Sequence, residues 1–567
     1  MRRLPALLLL GALEAAALAP ARGQPPASAG PVISLPPLLV ETEGGPHWRY
    51  GEVPGLQVLT CCDDDKTQAF VDRNFHQQDL LNELVAPDLQ MRTSAPLVLI
   101  LYAQKYQAAL SQEVIEEMNK MAPHEQGGIF NAPEATLLPH LRLTDPDSTE
   151  IYLLLQDNVA YASKFGHFRE APPSPEGDYD ELAFSDDYVA MLLDGRTPEL
   201  PPWFRAGLMQ LYQDVRFSRS EVALLPLKWI SGTDSFIPAD QLFSPSVLPA
   251  AAADPGGIRA RDWATEAELF IRWALDGPRN PHREPLWRFV RESSAAPATE
   301  EMFQRCFGFG YAEFPDILKK YLADAGHERD WEAAREPERP RLILHEATPS
   351  QIRQIKGDWG RRVLSIISRE HPEMLASYVA RARRTLLDAY NQGDRSPDLL
   401  ASLGQLYFQT GDRFQARAYL ESAVQAGVGR PMPYVLLAQL RLTNALAQSG
   451  GRLGPAELGS IIAPLTASRR LEPALAAGYL LLAAAWQHSA APPSVADLAP
   501  LNEGARLFPR HRQLVLAVAA LDVKAGDRTS AAGLVSLVLG SAPDGELRQD
   551  LLAFQAAYLA APAPGRN

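Results

Sequence analysis

The chain has 567 residues, which is enough for two to four domains with sizeable cores. Hydrophobic residues make up 46% and charged residues 22%, the composition of a soluble globular protein. Because 54 Lys and Arg stand against 68 Asp and Glu, the formal net charge is −14. This balance disfavours nucleic acid and anionic membranes as partners, since both select a basic face.

Residues 1–23 carry the pattern of a secretory signal. Arg2 and Arg3 give a basic start, the stretch from Leu4 to Leu13 is largely apolar, and small residues follow up to Gly23. The apolar stretch is well short of the roughly 20 residues that a membrane-spanning helix needs. We therefore expect an exported chain without a membrane span. Residues 24–37, rich in Pro, Ala, Ser and Gly, predict a flexible leader.

Residues 38–327 alternate strand and helix patterns, which predicts an α+β domain with a small sheet packed on helices. Apolar runs of strand length stand at 55–60, 95–102 and 150–156. Helical spacing of apolar residues marks 63–85, 104–121, 263–274, 287–292 and 302–322. Loops are predicted at 168–180 and 250–257, with an irregular apolar-rich segment between Tyr212 and Arg259. The charged, proline-punctuated stretch 328–340 predicts a linker to a second domain.

The stretch 184–212 predicts two consecutive helices. Leu200-Pro201-Pro202 ends the first and precedes the second, because proline keeps the residue before it out of the α region. Apolar residues recur at helical spacing on both sides of this break: Tyr188, Met191, Leu192, Trp203, Phe204, Leu208, Leu211 and Tyr212. The two segments read DDYVAMLL from Asp186 and PPWFRAGL from Pro201.

These two segments resemble the peptidase-MA-like (gluzincin) domain. That family shows H-E-Y-x-H-x-L-L and then P-x-W-L-x-E-G-L-A-x-Y, and the apolar frame is similar here. The resemblance aligns Asp186 with the first zinc-ligating His and Asp187 with the general-base Glu. It aligns Ala190 with the second His and Ala206 with the third ligand, a Glu. It covers about residues 38 to 325 and implies a zincin-like fold, often followed by helical repeats in exported bacterial proteins.

The substituted residues cannot supply the chemistry of that family. A catalytic zinc takes about three protein ligands and a water, and a methyl group ligates nothing. Ala190 and Ala206 therefore leave at most one carboxylate, Asp186, which does not hold zinc alone. Asp187 is also one methylene shorter than the usual base. We accordingly predict no metal, no cofactor and no enzyme activity.

Three interpretations of the stretch stay open at this point: a helical hairpin without chemistry, a groove that binds without cleaving, and a zinc-dependent peptidase with ligands elsewhere. His124-Glu125, His327-Glu328 and His345-Glu346 do not continue into H-E-x-x-H. Phosphate-loop, nucleophile-elbow and dinucleotide motifs are missing from the sequence as well. Glu266 and Glu268, on the predicted helix 263–274, are expected to be solvated.

The three cysteines leave two alternatives. Adjacent Cys61 and Cys62 do not bridge each other readily, because the geometry is strained. One of them could pair with Cys306 in an oxidising compartment, or all three thiols could be buried and free.

Residues 341–561 predict an all-α solenoid of tetratricopeptide-like repeats. The repeat spacing is met by Leu400, Leu403, Gly404, Tyr407, Ala416, Leu420 and Ala423, with Gly411-Asp412 at the turn. The same frame recurs from Leu514 to Pro543, and two longer, irregular repeats fill 433–473 and 474–509. We expect about four helix pairs, a lead-in helix near 365–391 and a closing helix near 546–560.

Stacked helix pairs leave a concave face that commonly binds protein or peptide. The function predicted from the sequence is thus an exported, periplasmic or extracellular scaffold with an inactive peptidase-like domain and a partner on the concave face of the repeats. The bacterial setting comes from the family resemblance alone. The alternative is a zinc-dependent peptidase whose ligands the sequence does not reveal.

Overall fold

The computed structural model describes residues 33–36, 39, 46–89, 95–103, 135–137, 140–155, 186–217, 221–227, 236–244, 260–276, 280–332, 341–541 and 546–559. The signal sequence, the helix predicted at 104–121 and the loops predicted at 168–180 and 250–257 lie outside these residues. Within the leader predicted at 24–37, a short strand β1 (Ile33–Leu35) pairs in parallel with β5 (Ala135–Leu137).

A six-stranded mixed sheet forms the middle of the first half of the chain. Its strand order is β11-β2-β3-β4-β7-β6. Central β3, β4 and β7 are parallel, as expected for three apolar runs that are covered on both faces; they confirm the three predicted strands. The strands are β2 (Arg49–Val53), β3 (Leu56–Thr60), β4 (Leu97–Ala103), β6 (His140–Asp145), β7 (Ser148–Leu155) and β11 (His345–Glu346).

Helices cover both faces of this sheet. On one face the Thr60 hydroxyl lies 3.0 Å from that of Thr67, in α1 (Asp64–Leu84). On the other face the ring of Tyr152 lies 5.9 Å from that of Trp359, in α9 (Pro349–Glu370). The register pairs Ile100 with both Leu59 and Tyr152, so these three side chains share one face of the sheet. Thr60 follows Leu59 and therefore points to the opposite face, because side chains alternate along a strand.

Described residues on both sides of the predicted linker at 328–340 share one apolar core. β10 (Arg329–Glu332) lies inside the predicted linker and pairs with β9 (Glu221–Leu224), which in turn pairs with β8 (Val215–Phe217). β11 then joins the central sheet beside β2. A single connected cluster of buried apolar side chains includes residues from Trp48 to Leu440. Helix α9 is therefore both the start of the repeats and the second cover of the sheet.

The predicted hairpin consists of α2 (Asp186–Asp194) and α3 (Pro202–Gln213). Helix α3 packs against the long helix α5 (Ala260–Leu275), and Gly207 permits the contact. A Cβ at Gly207 would lie 2.7 Å from the carbonyl carbon of Ala267, closer than side chains tolerate. The first half also contains α4 (Ala239–Leu242), α6 (Arg283–Ala295), α7 (Glu300–Phe307) and α8 (Phe314–Ala325).

The second half is a tetratricopeptide-like array of packed helix pairs, and the first helices of successive pairs also pack on one another. The four predicted pairs are present: α11 (Pro397–Gln409) with α12 (Arg413–Gln425), α13 (Met432–Gln448) with α14 (Pro455–Ser468), α15 (Ala476–Gln487) with α16 (Val495–Leu507), and α17 (Arg512–Ala525) with α18 (Arg528–Ser541). A closing helix, α19 (Glu546–Phe554), follows as expected.

In the first repeat, the residues of the sequence signature have identifiable structural roles. A Cβ at Gly404 would lie 2.7 Å from the Leu420 side chain, so glycine lets α11 and α12 approach. Gly411 has φ +84°, a backbone conformation that side chains rarely adopt. Next to it the Asp412 side chain accepts a hydrogen bond from the Gln415 N–H and caps α12.

The lead-in differs from the prediction, because a complete pair precedes the first predicted repeat. Instead of one helix at 365–391 there are two, α9 and α10 (Leu375–Asn391). Pro372 explains the break: it excludes His371 from the helical region, and His371 has φ −141° and ψ +59°.

The three cysteines are buried and form no disulfide with one another, which decides between the two cysteine alternatives. Among the described residues, the helices are all too short or too polar to cross a bilayer.

Candidate functional site

The four positions that the family resemblance singled out fall on the α2–α3 hairpin. Asp186 and Asp187 begin α2, and their side-chain positions lie outside what the structure describes. Ala190 follows one turn later on α2, and Ala206 lies in the second turn of α3. Both alanines are half-buried. Within the described part of the chain, three or more His, Cys, Asp or Glu side chains do not gather in a way that could hold a metal ion.

Aromatic side chains fill the space around α3. Trp203 is 1% exposed. Its ring lies 5.3 to 5.6 Å from the rings of Phe204, Phe243, Phe270 and Phe289. Aromatic contacts at these distances are those of a packed core. The Trp203 side chain therefore belongs to a packed core.

Glu266 and Glu268 are buried, so the expectation that they are solvated is wrong. Helix α5 is enclosed on more sides than its amphipathic sequence indicates, and the two side chains are 3% and 0% exposed. Glu268 pairs with Arg272 at 2.6 Å, and Arg272 also faces Asp214. Glu266 accepts a hydrogen bond from the Ile237 N–H at 2.9 Å. Burial raises the pKa of Glu266 to about 7, although that hydrogen bond opposes the shift.

A cleft of about 320 Å³ lies between the first half of the chain and the repeats. This volume is in the range of small-ligand sites. The wall from the first half comes from β6, the β6–β7 turn, the end of α2 and the α2–α3 connection. The wall from the repeats comes from Pro473 and Ala474, before α15, and Phe508, before α17. The residues of the first-half wall are Ala95, Arg142, Thr144, Asp145, Pro146, Thr149, Met191, Asp194, Gly195, Arg196, Thr197 and Glu199.

Strand β6 presents backbone groups toward the outside of the sheet at this cleft. Among the described strands it stands at one end of the sheet and pairs only with β7. The Thr149 N–H donates to Pro96 O on the β4 side, so Thr149 faces away from β6. Its register partner Thr144 then faces away from β7, and so does Arg142 two residues before. Both residues line the cleft.

The first boundary of the cleft is a buried ion network at the β6–β7 turn. Asp147, which is 0% exposed, accepts from Arg430 at 2.9 Å and from the Met432 N–H, the first of α13, at 2.8 Å. The turn therefore caps a repeat helix with a carboxylate, which its dipole favours.

Two arginines of α9 extend this network. Arg361 bridges Asp145 and Asp358, and Arg362 contacts Asp358 at 3.0 Å and Ser148 O at 2.9 Å. Burial alone would raise the pKa of Asp358, but the arginines outweigh it and hold that pKa well below its usual value. Burial raises the pKa of neighbouring Glu150 to about 8 despite Arg362.

The second boundary is Arg510, in the short connection before α17. Its guanidinium donates to Glu199 O at 3.0 Å, Leu200 O at 2.7 Å and Ser293 O at 2.7 Å. Ser293 lies in the last turn of α6, where a cation is favoured by the helix dipole. Burial lowers the pKa of Arg510 below its ordinary value. Three backbone carbonyls thus hold the last repeat to the first half of the chain.

Comparison with known proteins adds little to this geometry. Neither a protein-family model nor a curated protein matches the chain. The chain is similar to the crystal structure of the APC/C hetero-tetramer Cut9–Hcn1, with 13% identity over 54% of this chain and 52% of that one, at a TM-score of 0.24. It is also similar to the crystal structure of yeast Tom70, with 13% identity over 50% of this chain and 65% of that one, at a TM-score of 0.18.

Both matches span less than two thirds of the other chain. Likenesses this weak leave the fold and the function to be argued from the packing of the chain itself.

Proposed function

We propose that this protein is a non-catalytic scaffold that binds an extended polypeptide in the cleft between β6 and the helical repeats. One observation carries the proposal: the outward-facing backbone N–H and C=O of Thr144 stand at a cleft of about 320 Å³. A row of backbone donors and acceptors at the end of a sheet pairs with an added strand, and main-chain hydrogen bonds then provide affinity.

The first half of the chain fits an inactive peptidase-like domain in this proposal. The support is the sequence frame around α2 and α3, in which Ala190 and Ala206 replace ligand positions. With the ligand positions replaced, such a domain would not cut a polypeptide that the cleft holds. Export of the chain, suggested by residues 1–23, belongs to the same proposal; on secretion in a bacterial host, the mature N-terminus should follow Gly23.

The test uses random heptapeptides displayed on phage and selected against the full-length chain. Peptides so enriched should bind Thr144→Pro at least about tenfold more weakly than wild type, since proline removes the outward N–H that an added strand needs. Thr144→Ala is the matched control, because it keeps that N–H and should bind nearly as wild type does. Thermal unfolding of both variants checks that the sheet is intact. Equal affinity of Thr144→Pro and wild type would contradict strand addition at β6.

The zinc-peptidase alternative has its own decisive measurement. Elemental analysis of the purified full-length chain should give no stoichiometric zinc, and the enriched peptides should stay uncut. About one zinc per chain, or cleavage that a chelator abolishes, would replace the scaffold proposal with an enzyme.

A second docking surface is favoured by the last repeats. Half-buried apolar residues recur at helical spacing on their first helices: Ala477, Leu480 and Ala484 on α15, and Leu516 and Val523 on α17. These positions suit the concave face of the solenoid as a site for protein or peptide. Peptides bound there should keep their affinity for Thr144→Pro and lose it for Leu480→Glu. Enriched peptides that respond only to Thr144→Pro would remove this surface from the proposal.

A further inference from the structure

The two walls of the cleft differ in chemistry. The first-half wall carries charged and hydroxyl side chains such as Arg142, Thr144 and Asp194, whereas the described residues that the repeats contribute are Pro473, Ala474 and Phe508. These three side chains offer neither charge nor hydrogen bond. A ligand in the cleft therefore meets polar groups on one side and an apolar surface on the other.

We infer that the repeats select the sequence of the bound polypeptide: the side chain that faces them is apolar, and Phe508 is the residue that selects it. This inference rests on the proposed function, since it concerns the same cleft. The peptidase-like half then holds the backbone of the ligand, and the solenoid reads one of its side chains.

A backbone hydrogen bond and an aromatic contact fix the position of Phe508 beside the cleft. It ends α16, where its N–H donates to Gly504 O at 2.9 Å, and its ring lies 6.0 Å from that of Tyr479 on α15. Tyr479 is buried, and its hydroxyl donates to Glu503 at 3.0 Å. Two residues later Arg510 fixes the same connection to the first half of the chain. An aromatic ring held in this way contributes contact area with little loss of freedom on binding.

Three of the charged groups on the opposite wall are already engaged by other parts of the chain. Asp194 is bound by Arg205, and Arg196 donates to Leu89 O at 2.7 Å. Asp145 belongs to the ion network with Arg361. A charged side chain turned toward Phe508 would lose water against a surface that offers neither charge nor hydrogen bond, which is costly, whereas an apolar one gains by leaving water.

The experiment compares selection profiles from the random heptapeptide display. The full-length wild type should enrich peptides with a large apolar residue at one fixed position, and replacing that residue by Asp should weaken binding at least about tenfold. Phe508→Ala should lose the preference at that position, and Phe508→Leu should restore it. Phe414→Ala is the matched control: Phe414 is an exposed aromatic residue on α12, and its removal should leave the profile unchanged.

A second variant keeps the inference falsifiable if Phe508→Ala does not fold. Ala474→Asp places a carboxylate in the same wall and should shift the preference at that position from apolar to Lys or Arg. Peptides that bind β6 without an apolar preference, or a profile that neither Phe508→Ala nor Ala474→Asp alters, would overturn the inference while the proposed function stands. If the wild type enriches no peptide, the proposed function and this inference both fail.

Discussion

The first half of the chain is attached to the repeats in two places that differ in chemistry. At the β6–β7 turn, Arg361, Arg362 and Arg430 face Asp145, Asp147 and Asp358 in a buried network. At the other end of the cleft, the hydrogen bonds of Arg510 to described residues go to backbone carbonyls. The network fails as a unit when one charge is removed, because its partners stay buried. The Arg510 contact can be removed with smaller loss, because carbonyls carry no net charge.

The largest effect is expected from breaking the network. Arg361 is 1% exposed, and Arg361→Met would leave Asp145 and Asp358 short of a partner. Removal of one member of a buried pair costs about 3–5 kcal/mol of unfolding free energy. Urea denaturation should show that loss. Arg417→Met is the control: Arg417 pairs with Glu421 on the surface, where such pairs contribute about 0.2–1 kcal/mol. Equal losses in the two variants would contradict the role given to the network.

A carboxyl that has no charged partner among the described residues gives a second case to set beside the network. Glu266 is buried with one backbone hydrogen bond, and its pKa is raised to about 7 from an ordinary value of 4.5. The folded chain binds this proton more tightly than the unfolded chain, so stability is full below about pH 4.5 and falls as pH rises through about 7. Glu266→Gln keeps the hydrogen bond from Ile237 and cannot ionise. It should be about 3 kcal/mol more stable than wild type at pH 8, since one pKa unit corresponds to about 1.4 kcal/mol.

The control for Glu266→Gln is the same pair of proteins at pH 4.5, where their stabilities should nearly coincide. Urea titrations at both pH values measure the difference. A Glu266→Gln variant that loses stability with rising pH as steeply as wild type does would assign the pH dependence to another group, such as Glu150, whose pKa burial raises to about 8.

Local patterns in the sequence predict many of the helices and strands. They predict none of the contacts that attach the first half of the chain to the repeats. Gly404, Gly411 and Leu420 predicted a helix pair because the spacing that defines it lies within one repeat. The break before Pro372 was also readable, since proline restricts the residue before it, but a single helix was predicted there.

The ion network could not be predicted in the same way. Arg362 lies 214 residues from Ser148, and Arg430 lies 283 residues from Asp147, so a periodic pattern does not link them. Glu266 and Glu268 looked solvated because the sequence of α5 shows its own apolar face and not what covers the rest of the helix. The sequence does not predict the cleft for a related reason: one wall comes from residues 95–199 and the other from residues 473–508.

The smallest effect is expected at the second attachment. Arg510→Met removes three hydrogen bonds to carbonyls and should cost about 1–2 kcal/mol, because Leu200 O and Ser293 O lose a donor while the desolvation of a cation is avoided. Hydrogen exchange should speed up in α17 and at the end of α6, and stay unchanged in α9 and α13, which the network holds. If exchange rises equally in all four helices, the two attachments are coupled, and the Arg510 contact cannot be removed without loosening the ion network. If it rises only near Arg510, the last repeat can move without loosening the sheet, and peptide affinity should fall through the displacement of Phe508 rather than of β6.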